Sequence, residues 1–389
     1  METRTIVTLL SPARTVFGVG SWDAFLQDVM EVGLKRLFVV GFPALEKTLP
    51  PGLAALSDQG IAVRINTAIA KEPKTSDLER VLADARDFHA DGVVGIGGGS
   101  VLDVAKVVAA LLDGHQTFAE IIGNGLLRRR GTYLACIPTT AGTGSEMSPN
   151  ALLTDGDGKK VAAISPFLVP DAVYVDPVLT VSVPPATTAA TGIDALAHCM
   201  EAYTNIHAHA AVDLYALEGI RLVGTHLKAA CDDGTDLVAR TGLALGSMYG
   251  GMCLGPVNTA AAHALAYPLS EFHGIPHGLS VALVLPAVMR YNIPWAVERY
   301  ARVAVALGAA SDRPALQTAL EGSRLLSRLI ADCGLPTSLA AAGVPKADLG
   351  RLAPAAWKVQ RLLANNPRPM QLEDIDAVYR DACWGPDIR

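Results

Sequence analysis

Asp194 and His198 stand four residues apart in Gly192-Ile-Asp-Ala-Leu-Ala-His198. On a helix that spacing puts both side chains on one face. A carboxylate oxygen and an imidazole nitrogen one turn apart can share a divalent cation, although such a pair is more often a surface hydrogen bond or ion pair. Three of the nine histidines, His263, His273 and His277, fall within fifteen residues of chain punctuated by Gly and Pro. A single histidine in an apolar segment is usually a satisfied core residue. Three imidazoles with one carboxylate, by contrast, suit a first-row cation such as Fe²⁺ or Zn²⁺, and spacing does not decide which histidine is the spare. A cation so held polarises a carbonyl oxygen or acidifies an alcohol, and hydride exchange with a nicotinamide coenzyme is the natural companion to that chemistry.

Two glycine-rich segments supply the second half of such a site. Gly97-Gly98-Gly99-Ser100 follows a strand-like run and opens a helical one. Free N–H groups at a helix start, helped by the helix dipole, can hold a pyrophosphate. The standard dinucleotide fingerprint is absent, because Ser100 falls where its third glycine belongs. Pro138 to Glu146 follows a further strand-like run, and its dense hydroxyls and small residues suit a diphosphate, ribose or amide. Read without function, both segments are tight Ser/Thr/Gly turns.

The elements that must position these groups follow from apolar patterning. Arg36–Gly41, Ile61–Ile65, Asp91–Ile96 and Tyr133–Ile137 read as buried strands. Helical stretches are expected over Pro43–Gln59, Thr75–His89 and Val101–Leu112. Continuous apolar strands separated by helices imply a parallel sheet covered on both faces, a doubly wound Rossmann-like layer. Two loops at the ends of two parallel strands then share one sheet edge, where nucleotides bind. Beyond the Pro184-Pro185 pair, alanine, leucine and arginine recur at helical spacing, as in Val212–Leu227 and Val297–Leu307. The expected division is a nucleotide-binding α/β domain over residues 1–184 and an all-α metal-binding domain over 185–389.

Composition narrows the function classes. Half of the 389 residues are hydrophobic, 18% are charged and the net charge is −6, enough apolar material for a core and no electrostatic draw towards nucleic acid or anionic membrane. Arg128-Arg129-Arg130 reads as a solvated loop. The six cysteines lack any CxxC pair, which reads as reduced, buried thiols in a cytoplasmic protein. Neither a signal peptide nor a membrane-spanning run is evident.

Taken together, the chain resembles the iron-containing (group III) alcohol dehydrogenases over nearly its whole length. The matching segments are Gly97 to Ser100 with Asp103 and Lys106, Pro138 to Glu146, Asp176 to Thr180, Gly192 to Glu201, His263 to Gly278, Leu285-Pro286 and Asn366-Pro367-Arg368-Pro369. The resemblance implies a Rossmann-like α/β domain followed by a helical one, the architecture shared with dehydroquinate synthase. It implies a metal, Fe²⁺ or alternatively Zn²⁺, held by Asp194, His198, His263 and His277, with His273 left over. It implies NAD(H) or NADP(H) contacts from Gly97, Gly98, Gly99, Ser100, Thr139, Thr140, Thr143 and Leu179, with Asn150 near substrate and nicotinamide. Gly41, Asp103 and Lys160 complete the expected cofactor set. A small alcohol or aldehyde as substrate and a homodimer or larger homo-oligomer are implied as well.

Two departures carry expectations of their own. Many NAD-preferring members have an aspartate where this strand ends in Gly41, so the repulsion of a 2′-phosphate is missing and NADP(H) is expected to be tolerated. Tyr267 stands where many members have a histidine; a phenol with an ordinary pKa of about 10 is a poor proton shuttle at neutral pH, so Tyr267 is expected to shape the pocket and His273 to relay the proton. Rival readings on the same fold are a zinc glycerol dehydrogenase, a hydroxyacid–oxoacid transhydrogenase and a dehydroquinate synthase-type lyase. A non-catalytic nucleotide or metal sensor is the rival of a different class.

Overall fold

A computed structural model describes residues 6–49 and 51–384. Leu10–Ser182 form one compact unit, and among the described residues 6–9 and 183–384 form another.

Among the described residues of the first unit nine strands are present: β1 (Arg14–Phe17), β2 (Arg36–Val40), β3 (Ala62–Asn66), β4 (Gly92–Gly97), β5 (Gly123–Asn124), β6 (Tyr133–Pro138), β7 (Asn150–Thr154), β8 (Lys160–Ile164) and β9 (Ala172–Val175). Six of them make a sheet in the order β1-β9-β6-β4-β2-β3, every pairing parallel. The apolar run of β4 is buried along its whole length, as a central parallel strand covered on both faces must be. Leu37, Val39, Ile96, Ile137 and Tyr174 from the strands pack with Trp22, Phe25 and Val29 of the Ser21–Val32 helix. Each such side chain contributes about 1.5–3 kcal/mol by leaving water. From β2 the chain moves out to β3, then returns past β2 to β4 and on to β6, so the order reverses between β2 and β4. A reversal of this kind opens a crevice at the carboxyl ends of the strands.

Three features depart from the sequence reading. Residues 43–59 form two short helices, Leu45–Thr48 and Ala55–Asp58, in place of one; Pro51 and a left-handed Gly52 (φ 137°) interrupt the helical pattern. A second sheet, β5-β8-β7, contains the antiparallel β7–β8 pair across the Asp155–Lys159 turn. Arg130 is not solvated: its guanidinium meets both Asp171 oxygens at 2.5 and 3.0 Å and donates to the Phe167 and Val169 carbonyls, fastening the approach to β9.

The second unit is helical among its described residues. Its central helix, Pro185–Thr204, packs against Ala210–Asp232, Leu237–Leu254 and His277–Asn292. Ala261–His273 packs in turn on His277–Asn292. No helix among the described residues is long and apolar enough to cross a membrane. All six cysteines are buried and free of disulfides.

Candidate metal centre and nucleotide loops

Three helices of the second unit carry the acid and the histidines. Asp194 and His198 lie one turn apart on Pro185–Thr204, His263 lies in the first turn of Ala261–His273, and His277 opens His277–Asn292. The last two helices are joined by a tight turn at left-handed Gly274 (φ 64°), which brings His277 back towards His263. Gly278 then lets this helix start touch the central helix: a Cβ there would lie 2.4 Å from the Ala190 carbonyl oxygen. Only glycine permits that approach, and it carries His277 to Asp194.

The result is a convergence on one atom. Asp194 Oδ1 lies 3.4 Å from His263 Nε2, 3.6 Å from His277 Nε2 and 4.0 Å from His198 Nε2. Donors about 2.0–2.2 Å from a tetrahedral cation stand about 3.4 Å from one another. Asp194 Oδ1 and His263 Nε2 are buried and lack a hydrogen-bond partner. A polar atom in that state is costly unless a ligand completes it. The set therefore fits a divalent cation, with Asp194, His263 and His277 as the tightest group and His198 stacked on His263 at 4.7 Å between rings. Burial works against an ionised Asp194, but the three imidazoles outweigh it and hold its pKa well below the usual carboxylate range. Burial also opposes a charged His263, yet Glu201 and Asp194 push its pKa up to about 9.

Glu201 is the residue that the sequence reading left without a role. It follows Asp194 and His198 on the same helix face, accepts the Ala262 N–H at 2.6 Å and meets His263 Nδ1 at 2.5 Å. Its i, i+4, i+7 spacing with Asp194 and His198 was the available signal.

Tyr267 stands one turn beyond His263, its ring 5.8 Å from that of His277. Burial raises its phenol pKa above the ordinary value, against the pull of the nearby Arg361 charge. His273 is elsewhere. It lies ten residues beyond His263, about 15 Å of helix rise, and its Nε2 faces Asp348 at 3.8 Å. The ion pair with Asp348 occupies His273 outside the Asp194 cluster, so its part in proton relay is a matter for mutation.

In the first unit the two glycine segments lie side by side. β4 pairs with β6 so that Gly97 is opposite Pro138, and Thr139 N donates to the Gly97 carbonyl at 3.0 Å. Thr143 covers Gly99 so closely that a Cβ would come within 2.6 Å of its hydroxyl. The Gly99–Leu111 helix starts at this point, with Ser100 in its first turn. Gly41 follows β2 on one flank, and Leu179, in the Pro177–Thr180 turn after β9, stands on the other. The Asn150 side-chain oxygen is buried without a partner, as a residue awaiting a polar ligand would be.

Asp103 and Lys160 are engaged differently. Asp103 accepts from Ser145 Oγ at 2.5 Å and Leu152 N at 2.9 Å. Beside it Lys106, fully buried, donates to Ser145 Oγ and the Asn150 carbonyl, both at 2.8 Å, and to the Ser148 carbonyl at 3.0 Å. This pair holds the Pro138–Asn150 segment from beneath. Lys160 on β8 pairs with Glu72 at 2.9 Å.

Comparison with known proteins agrees with both halves. Residues 12–177 match the iron-containing alcohol dehydrogenase family, and residues 188–383 match the C-terminal part of the Fe-containing alcohol dehydrogenase family. Long-chain-alcohol dehydrogenase 1 of Geobacillus thermodenitrificans is 38% identical over 97% of this chain and 98% of its own length. The crystal structure of a 1,3-propanediol oxidoreductase superposes with a TM-score of 0.93 at 30% identity, covering 97% of this chain and all of that one. A sulfoacetaldehyde reductase from Bifidobacterium kashiwanohense, solved with NAD⁺, superposes at 0.86 with 26% identity, covering 97% and 98% of the two chains. With more than nine-tenths of its length matched, the chain belongs to the iron-containing alcohol dehydrogenase family and is an oxidoreductase.

Proposed function

We propose that the protein interconverts a small alcohol and its aldehyde or ketone, using a cation held by Asp194, His198, His263 and His277 and a nicotinamide coenzyme held by the loops after β2, β4, β6 and β9. The observation that carries this reading is the meeting of three imidazole Nε2 atoms within 4.0 Å of one carboxylate oxygen, two of the four atoms being buried and unpartnered. Iron is the cation that the family supplies, and zinc suits the same donors. When bound, the cation gives positive charge to the reacting oxygen and the coenzyme accepts or returns hydride.

The chain's own residues do the rest. Asp194 and the imidazoles fix where that charge sits. Gly97–Ser100 present backbone N–H groups to a diphosphate, Thr139, Thr140 and Thr143 offer hydroxyls, and Asn150 offers a carbonyl oxygen. Tyr267 stands beside His277 and, with its raised pKa, keeps its proton. Gly41 presents no acid to repel a 2′-phosphate, which supports use of NADPH. The six buried free thiols support a reducing, cytoplasmic setting, and the resemblance to the family is the support for a homo-oligomer.

Metal analysis of anaerobically purified protein, followed by aldehyde reduction with NADH and NADPH before and after chelation, tests the reading. About one iron or zinc per chain and loss of turnover on chelation are expected. Full activity in rigorously chelated protein would refute it. Turnover without added nucleotide would point to the transhydrogenase.

A further inference from the structure

We propose that Glu201 fixes the tautomer of His263 and thereby sets the affinity of the four-residue cluster for its cation. The proposal rests on the metal reading above.

The imidazole that gives a lone pair to a cation is the neutral form, which carries one proton, so one ring nitrogen donates and the other accepts. An ionised carboxylate only accepts. Glu201 meets two groups, the Ala262 N–H and His263 Nδ1, one with each oxygen. The contact to Nδ1 is therefore satisfied when Nδ1 carries the proton, and Nε2 then presents its lone pair where the other Nε2 atoms and Asp194 Oδ1 converge. The same carboxylate anchors the backbone beside His263, so ring and helix start are held by one group.

The surroundings keep Glu201 directed at this task. It borders a cavity of about 10 Å³ whose polar wall is Thr204, Asn292, Tyr300 and Asn366. That wall is neutral and internally bonded: the Asn292 and Asn366 amides exchange two 2.8 Å hydrogen bonds, Asn292 donates to Tyr300 Oη at 3.2 Å, and Tyr300 donates to Thr204 Oγ1 at 3.3 Å. A space of that size admits one water, which could donate to the carboxylate without displacing the histidine.

Glu201→Gln is nearly isosteric but has one acceptor for two donors. If its oxygen stays on the Ala262 N–H, its NH₂ faces His263 Nδ1 and favours the proton on Nε2, the nitrogen turned towards the cluster. The experiment measures Zn²⁺ dissociation constants by chelator competition for wild type, Glu201→Gln and Glu201→Asp. It also records the imidazole ¹⁵N spectra of histidine-labelled, Zn²⁺-loaded protein, with His263 assigned by substitution. A rise of about 10–100-fold in the dissociation constant is expected for Glu201→Gln, with Glu201→Asp between it and wild type. The wild-type spectrum should show His263 protonated at Nδ1.

Unchanged Zn²⁺ affinity in Glu201→Gln beside tight wild-type binding would overturn the role of Glu201 alone. A wild-type His263 protonated at Nε2 would overturn it without any variant having to fold. Wild-type protein that binds no Zn²⁺ or Fe²⁺ would remove the metal reading as well.

Discussion

Lys106 and Asp194 are both charged side chains removed from water, yet their surroundings differ. Around Lys106 the ammonium has Ser145, Ser148 and Asn150 as acceptors, and neighbouring Asp103 is bonded through both oxygens. Around Asp194 one carboxylate oxygen and the nearest imidazole nitrogen face each other at 3.4 Å without completing a hydrogen bond. A satisfied buried network rigidifies what it touches. An unsatisfied one marks a place where the fold has left room for something else. The first cluster belongs to the support of a loop, the second to a ligand.

That contrast is broken most directly by Asp194→Asn. The amide removes the negative charge on which three imidazoles converge and turns half of the acceptor capacity into donors. Loss of the cation and a fall in kcat of at least about 10³-fold are expected, since charge stabilisation of the reacting oxygen is the largest single contribution at such a site. Metal content and far-UV circular dichroism, measured together, separate this from unfolding. A variant that kept its metal and its rate would remove Asp194 from the centre.

Lys106→Met sharpens the other side. Burial already lowers the Lys106 pKa and raises that of Asp103, and their mutual attraction resists both shifts. Removing one partner leaves Asp103 buried among neutral donors, a loss of about 3–5 kcal/mol. The urea midpoint should drop accordingly while metal content per folded chain is unchanged. Metal loss without destabilisation would reverse the assignment of the two clusters.

Glu146 extends the comparison to pH. Burial pushes its carboxyl from an ordinary 4.5 up to about 7, against the pull of Lys106. A folded-state pKa above the unfolded one means that the folded protein holds the proton over the interval between them. The associated stability is full below pH 4.5 and is lost as pH rises to about 7. At about 1.4 kcal/mol per unit, the loss reaches about 3 kcal/mol. Urea midpoints at pH 5 and 8 should fall further apart in wild type than in Glu146→Gln. Equal spacing in the two proteins would mean that Glu146 stays ionised.

Much of this was legible in the sequence for physical reasons that are local. The runs at Arg36, Asp91 and Tyr133 are short, continuous and apolar, which a covered parallel strand requires, and they fold as β2, β4 and β6. Asp194 and His198 could be placed on one helix face by counting. The meeting of His263 and His277 with them could not, because it depends on Gly278 approaching Ala190, a contact between residues 88 positions apart. Arg130 was misread because a run of three arginines says nothing about an Asp171 positioned by a strand end. Asp103 and Lys106 carried the resemblance to the family, but their spacing gave no hint that both turn inward.

His273 gives the smallest effect and the most direct check on the expected relay. Composition made it one of three clustered histidines, and chemistry made it attractive as a relay. Its place at the end of the Ala261–His273 helix instead directs it to Asp348, itself within 3.6 Å of Arg351. A partly exposed pair of this kind contributes less than about 1 kcal/mol. His273→Ala should therefore leave kcat within about twofold and the pH–rate profile unmoved, with stability scarcely altered. A displaced limb in that profile would restore His273 as the relay and overturn its assignment to the Asp348 pair. Retention of the limb together with its loss in Tyr267→Phe would place the proton path on the first turn beyond His263, leaving His273 to hold the helix end.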